Sequence, residues 1–320
     1  MKASKPMTFS IFMPPYDRWK SVDEIGEAAR LADSLGFDMS FGEHIVRPVA
    51  AGVPTGPVVY YDIFVLASHL ATLTKRARLI FNVLVVPYRP PVLAAKLIST
   101  LDVISKGRLV VGTGVGWARG EFAALGVPFE ERGAITDEYL RAMKVLWTEE
   151  NPTFAGKYVA FSDIVFAPKC VQKPHVPLWI GGGGRAPLRR TVELGDGWSP
   201  SDTSKNADSL DSLARDILWI KEHAEATGRD PAALDFAFWI DIGPLDPAWP
   251  GRARSSPSEH PSRPIQKAPV QTVEDARGLV LAYRKAGFNH FHLRFDWREA
   301  ADMMRGMEWF ASKVLPAVAE

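Results

Sequence analysis

Four stretches of the chain carry residue types and spacings that can do chemistry. In "SFGEHIVRP", Glu43 and His44 stand side by side just past a β-type run. A histidine titrates near neutral pH, so His44 is a candidate proton donor or acceptor, with Glu43 as a second candidate. The competing reading is a capping or core histidine whose bonds are satisfied. In "IFNVLVVPYRPP", Asn82 interrupts an apolar strand. A buried amide needs a partner, either across the sheet or on the edge of a ring-shaped ligand. In "GRLVVGTGVGW", Gly112, Gly114 and Gly116 recur with period two, which bares one strand face and makes room for a flat ligand. In "PLWIGGGGRAPLRRTVELGDGW", an apolar run leads through Gly181, Gly182, Gly183 and Gly184 into a helical pattern. Bare amides at a helix N-terminus attract anions, and glycines let an anion come close, so this stretch reads as a phosphate cradle with Arg185 adding charge. A plain tight turn is the alternative.

Other candidates are weaker. His290 and His292 lie two apart on one strand face, with Arg294 and Asp296 following. A metal-dependent hydrolase could use such a pair, but no carboxylate and histidine set elsewhere completes a site, so polar packing is the preferred reading and no metal is expected. Trp117, Trp179 and Trp198 each flank one of the four stretches, and Trp117 and Trp198 fall at strand ends, where they would line a substrate pocket.

These residues need a scaffold. Short apolar runs alternate with helical patterns from end to end, giving eight strands and eight helices. Met7–Met13 reads as the first strand. Ser21 caps a helix running to about Leu35, with Asp23 and Glu24 in its first turn and Gly36 after it. Strict alternation implies parallel strands joined by helical crossovers, and eight units in one chain of 320 residues fit a single TIM (β/α)8 barrel of class α/β. An open doubly wound sheet is the rival. Two insertions break the repeat: a hairpin at about residues 151–175, and a Pro-, Ser- and Arg-rich stretch at about residues 243–269 that reads as a lid.

The bulk numbers exclude several classes. Net charge is +1, with 23% charged and 47% hydrophobic residues, so nothing marks a nucleic-acid or membrane partner. The single cysteine, Cys170, rules out an internal disulfide and makes a cytoplasmic location the default.

Taken in order, "FGEHIVRPV", "VLVVPYRPPVLAAKLISTLDVISKGRLVVGTGVGW", "EFAALGVPFEERGAITDEYLRAMKVLW" and "PLWIGGGGRAPLRRTVELGDGW" resemble the luciferase-like monooxygenase family, and most of all its coenzyme F420-dependent branch. The likeness covers residues 8 to 200 and is looser beyond. It implies a barrel oxidoreductase that holds F420 or FMN at the C-terminal face and acts on a small organic molecule. It implies a non-prolyl cis bond at Asn82–Val83 behind the cofactor ring, Gly112 to Gly116 beside the ring, and Gly181 to Gly184 on the phosphate. His44 is implied in catalysis, and Tyr139 as a helix residue reaching the cofactor. A homodimer and, for reduced FMN, a separate reductase also follow from the resemblance. F420 would imply hydride transfer, and reduced FMN with oxygen a monooxygenase; a non-catalytic flavin-binding protein is a further alternative. Trp117 stands where F420 dehydrogenases of sugar phosphates often carry an acid, so a proton donor of that type is missing.

Overall fold

A computed structural model describes residues 5–13, 19–46, 59–201, 209–243 and 270–319. Ten strands and ten α-helices occur among them. In chain order they are β1 (Thr8–Met13), α1 (Val22–Leu35), β2 (Asp38–Phe41), α2 (Ile63–Leu73), β3 (Leu79–Val85), α3 (Pro91–Ser105), β4 (Leu109–Gly114), α4 (Arg119–Leu125) and α5 (Arg132–Thr148). There follow β5 (Phe154–Ala155), β6 (Ala160–Phe161), β7 (Leu178–Gly181), α6 (Arg185–Leu194), β8 (Gly197–Ser199), α7 (Leu210–Ala226), β9 (Asp235–Ile242), α8 (Val273–Ala286), β10 (His290–Phe295), α9 (Ala300–Trp309) and α10 (Leu315–Ala319). Eight strands close a barrel in the order β1-β10-β9-β8-β7-β4-β3-β2, and β5 and β6 form a separate pair. The closed barrel, rather than the open sheet, is therefore the fold.

The caps act as the sequence implies. Ser21 Oγ accepts the Glu24 N–H at 3.2 Å, and Gly36 ends α1 in the left-handed region at φ 83°. Such a cap contributes about 1 kcal/mol. The short helix α4 has no counterpart in the eight-helix reading; it begins three residues after Gly116.

The chain forms two compact units by packing. One comprises residues 41–178. In it β3 and β4 pair in parallel from Leu79↔Leu109, with a register shift between Phe81 and Leu84. The expected inserted hairpin is present, with Phe154 opposite Phe161. Glu138 of α5 holds its turn by accepting the N–H groups of Lys157, Tyr158 and Val159 at 2.9, 2.6 and 2.9 Å.

The other unit comprises residues 179–319 with the described residues up to 40. Here β1 pairs β10 and β10 pairs β9 in parallel, and β8 pairs both β7 and β9. Apart from Gly243, the stretch assigned as a lid lies outside the described residues up to Val270, which bridges Ile242.

Candidate active site

The unit of residues 41–178 gathers most of the candidate side chains beyond the C-terminal ends of β2, β3 and β4. Glu43 is buried two residues past β2, and both its oxygens are engaged. Oε1 accepts from Arg89 at 2.5 Å, and Oε2 from the Val85 N–H at 2.7 Å. Arg89 also meets Asp62 at 2.8 Å, and Asp62 caps α2 through the Phe64 and Val65 N–H groups. Burial pushes the Glu43 carboxyl above its ordinary range, while Arg89 and the Val85 N–H pull it back part of the way. Glu43 thus ties the end of β2 to the end of β3, and its bonds are those of a brace.

His44 is placed differently. Its side chain is 19% exposed, and its Nδ1 lies 2.9 Å from Glu121 Oε2. A carboxylate at that distance puts the ring proton on Nδ1 and leaves Nε2 as the nitrogen that can meet a ligand. The rings of Tyr60 and Trp117 stand edge-on to the imidazole, with centroids at 4.7 and 5.8 Å. Trp117 is 74% exposed, so it forms an outer wall beside His44 rather than part of the core.

Glu121 was not among the residues singled out from sequence, and it organises this cluster. It lies in the first turn of α4 and is 1% exposed. Its Oε1 accepts from the Ile45 and Val46 N–H groups at 2.8 and 3.2 Å. Its Oε2 accepts from Tyr88 Oη at 2.8 Å as well as from His44. Burial, and then the bond to Glu121, push the Tyr88 phenol above its ordinary range, so Tyr88 remains a donor at all working pH values. An acid does therefore stand behind the catalytic candidate, four residues later than the position Trp117 occupies.

Behind this cluster, the Asn82–Val83 bond is cis, as the resemblance implies. The Asn82 Nδ2 atom is buried and has no hydrogen-bond partner among the described residues. The β4 glycines lie against this segment. A Cβ on Gly112 would overlap the Phe81 carbonyl oxygen, and one on Gly114 would come within 2.6 Å of Val83 Cγ2. Gly116 has φ 80°, and a Cβ there would meet both Phe122 and Val85 at 2.7 Å. The bare face read from the period-two pattern is therefore filled, on these sides, by atoms of β3 and α4. Tyr139 is half-buried on α5, and burial, then Glu138, raise its phenol.

The glycine turn belongs to the other unit. Gly181 ends β7, and Gly182 and Gly184 take φ 95° and 91°, which side chains rarely adopt. Gly184 is the N-cap of α6, and no side-chain oxygen caps that helix. Among the described residues, the first N–H groups of α6 thus meet no capping side chain, and their dipoles sum at that end. Arg185 is exposed, with its guanidinium over the Trp219 ring at 5.3 Å. Trp198 corrects the pocket reading. It is fully buried, stacks on Phe288, and donates its indole N–H to the Gly182 carbonyl at 2.9 Å. It braces the turn from the core side because it alternates with Ser199 on β8 and faces away from the barrel interior.

His290 and His292 are fully buried, with ring nitrogens bonded to hydroxyls. This is the polar packing that the sequence favoured over a metal pair. Among the described residues, no helix is long and apolar enough to cross a membrane.

Comparison with known proteins follows this geometry. A model of the luciferase-like monooxygenase family matches residues 7–243. An uncharacterized protein of Mycobacterium tuberculosis (strain H37Rv) is 36% identical over 240 residues, which is 68% of this chain and 83% of that protein. The FMNH(2)-dependent dimethylsulfone monooxygenase of Pseudomonas putida is 27% identical over 239 residues, covering 70% of this chain and 63% of its own. Among solved structures, monooxygenase RslO1 from Streptomyces bottropensis matches with a TM-score of 0.81 at 22% identity, over 97% of this chain and 99% of its own. An F420-dependent secondary alcohol dehydrogenase in complex with an F420–acetone adduct matches with a TM-score of 0.80 at 20% identity, over 99% of this chain and 100% of its own. At these identities the structural likeness speaks to the fold.

Proposed function

Since the chain belongs to the luciferase-like monooxygenase family, we propose that it is an oxidoreductase that binds a flavin-type cofactor, F420 in the first reading, and transfers a hydride to or from a small organic substrate. The observation that carries the cofactor reading is the Asn82 amide, whose Nδ2 is buried and unmatched among the described residues. An unsatisfied buried donor costs about 1–3 kcal/mol, and the edge of a heteroaromatic ring supplies the missing acceptor. Taken by itself, the turn at Gly181 to Gly184 in the other unit offers backbone amides at a helix start, a chemistry suited to a phosphate.

When bound, a deazaflavin supplies two-electron hydride chemistry, and the protein supplies orientation and proton handling. His44 Nε2 would give a proton to the substrate oxygen or take one from it. Glu121 holds the ring through Nδ1 and stabilises the imidazolium when His44 takes a proton. Tyr88 and the Ile45 and Val46 N–H groups keep Glu121 in place. Glu43 fixes the backbone from which His44 projects, which is a positioning role. Trp117 and Tyr60 shield the imidazole from water.

The decisive experiment is titration of the purified protein with F420 and with FMN, read by absorbance, in the wild type and in Asn82→Leu. F420 binding about tenfold or more weaker in the variant, with thermal stability undiminished, is expected if Asn82 serves the cofactor. Equal affinity in the two proteins would remove Asn82 from the site. Preferential binding of FMN would move the assignment to a monooxygenase using reduced flavin and oxygen, the activity named for the Pseudomonas relative.

A further inference from the structure

The interior of the unit formed by residues 179–319 and the N-terminal segment holds a row of hydroxyl and imidazole side chains that the mechanism above does not use. Thr8 Oγ1 lies 2.7 Å from His290 Nδ1. His290 Nε2 lies 3.0 Å from Ser10 Oγ. Ser10 Oγ lies 2.7 Å from His292 Nδ1, and His292 Nε2 lies 3.3 Å from Ser199 Oγ. The row starts at the first residue of β1, which is half-buried, and ends at the last residue of β8. Between these ends, Ser10, His290 and His292 are all 0% exposed.

Three properties set this row apart from ordinary satisfaction of polar groups. Every member is a hydroxyl or an imidazole, so each can both donate and accept. No amide or carboxylate stands between its members. Both polarities are also complete. With both rings protonated at Nε2, donation runs Thr8 to His290 to Ser10 to His292 to Ser199. With both rings protonated at Nδ1, the same bonds run in reverse. The imidazoles are sheathed by aromatic rings. Trp179 lies 5.0 Å from His290 and 6.2 Å from His292, and Trp239 lies 5.1 Å from His292. Apolar residues would pack this interior without the desolvation that two imidazoles incur.

We propose that Thr8, His290, Ser10, His292 and Ser199 form a proton relay along the barrel interior. It links solvent at the N-terminal end of β1 with the C-terminal end of β8, where barrel active sites are built. One proton enters at Thr8, each member passes on the proton it held, and one proton leaves at Ser199. The hydroxyls and rings then turn, and the row is restored with no net change of charge. What takes up that proton beyond Ser199 rests on the proposed hydride-transfer function; the relay itself does not. The charged groups on the neighbouring strands are Asp38, two residues before Ser40 on β2, the Asp235–Lys5 pair at 2.7 Å, and the Asp241–Arg294 pair at 2.6 Å. Ser40 itself lies 3.5 Å from Ser10 as a side branch.

The test uses the full chain with 15N-labelled histidine. In the wild type, the ring nitrogens of His290 and His292 should give averaged shifts that report exchange between the two tautomers. In Ser10→Ala, which separates the rings, each should settle into one tautomer. With cofactor and substrate, Thr8→Val removes the entry hydroxyl at nearly constant shape. It should slow turnover about tenfold or more and enlarge the solvent deuterium effect, and Thr8→Ser should restore both. Fixed tautomers in the wild type, or Thr8→Val and Ser10→Ala proteins with wild-type pH profiles and isotope effects, would leave the row as packing alone. If no flavin-type cofactor binds, the proposed function fails while the tautomer measurement still decides the relay. Should Ser10→Ala not fold, the wild-type spectrum and the two Thr8 variants carry the decision.

Discussion

His44 and the pair His290 and His292 are the same side chain in opposite surroundings. His44 sits half-buried against a buried carboxylate, which assigns its proton to Nδ1. The other two are wholly buried, with ring nitrogens on hydroxyls that can donate or accept. The first arrangement commits one nitrogen to outside chemistry, and the second keeps both tautomers equally served. Charged groups concentrate in the first region, where Arg89 meets Glu43 and Asp62 and His44 meets Glu121, whereas the row in the second contains no carboxylate or guanidinium. Breaking the first should therefore cost more than breaking the second.

The largest effect is expected at Arg89. Replacing it by Met leaves Glu43 buried without its cation and Asp62 without its partner. Loss of one member of a buried pair costs about 3–5 kcal/mol. Denaturant unfolding should show a loss of that order, against about 1 kcal/mol for Ser10→Ala, which removes neutral bonds only. Similar losses at the two sites would erase the distinction drawn here.

Next comes Glu121→Gln. The amide cannot accept from all four donors that converge on the carboxylate. Turnover should fall about a hundredfold, with cofactor affinity nearly unchanged. His44→Ala should fall by a similar factor, and the double variant no further, because the two act as one unit. Additive losses would separate Glu121 from His44.

The fold was legible because its signals are periodic. Apolar runs alternating with helical patterns, the Ser21 cap and the Gly36 stop all report local physics. His44, Asn82 and the glycines were legible as exceptions to that pattern. Glu121 was not, because an acid in the first turn of a short helix looks like ordinary helix chemistry. Only the fold carries it back to His44, 77 positions earlier in the chain. Arg89 and Tyr88 were hidden for the same reason, in a Pro-rich turn whose long-range partners no spacing announces. The two glycine groups were seen, but their reasons differ. Gly112 is required by the Phe81 carbonyl, whereas a Cβ on Gly184 meets nothing within 4 Å and only its φ of 91° objects. Gly112→Ala should thus lower stability by about 1–3 kcal/mol through overpacking. Gly184→Ala should cost about 1–2 kcal/mol through backbone conformation alone. Both are read by thermal unfolding.

The smallest expected effect tests how Glu43 differs from an ordinary ion-pair carboxylate. Burial raises its carboxyl above the usual 4.5, and this outweighs the opposing pull of Arg89 and the Val85 N–H. Between 4.5 and the raised value, the folded chain keeps a proton that the unfolded chain has released. The stabilisation linked to that proton is complete below the unfolded value and is lost as pH rises through the folded one. Glu43→Gln keeps the volume and removes the titration. The unfolding free energy of the wild type, taken relative to this variant, should therefore decline as pH rises from 4.5 through the raised folded value. A relative stability that grows over the same range would mean that the guanidinium wins over desolvation. Glu43 would then be a depressed, salt-bridged acid whose charge persists beside Arg89 instead of one that burial neutralises readily.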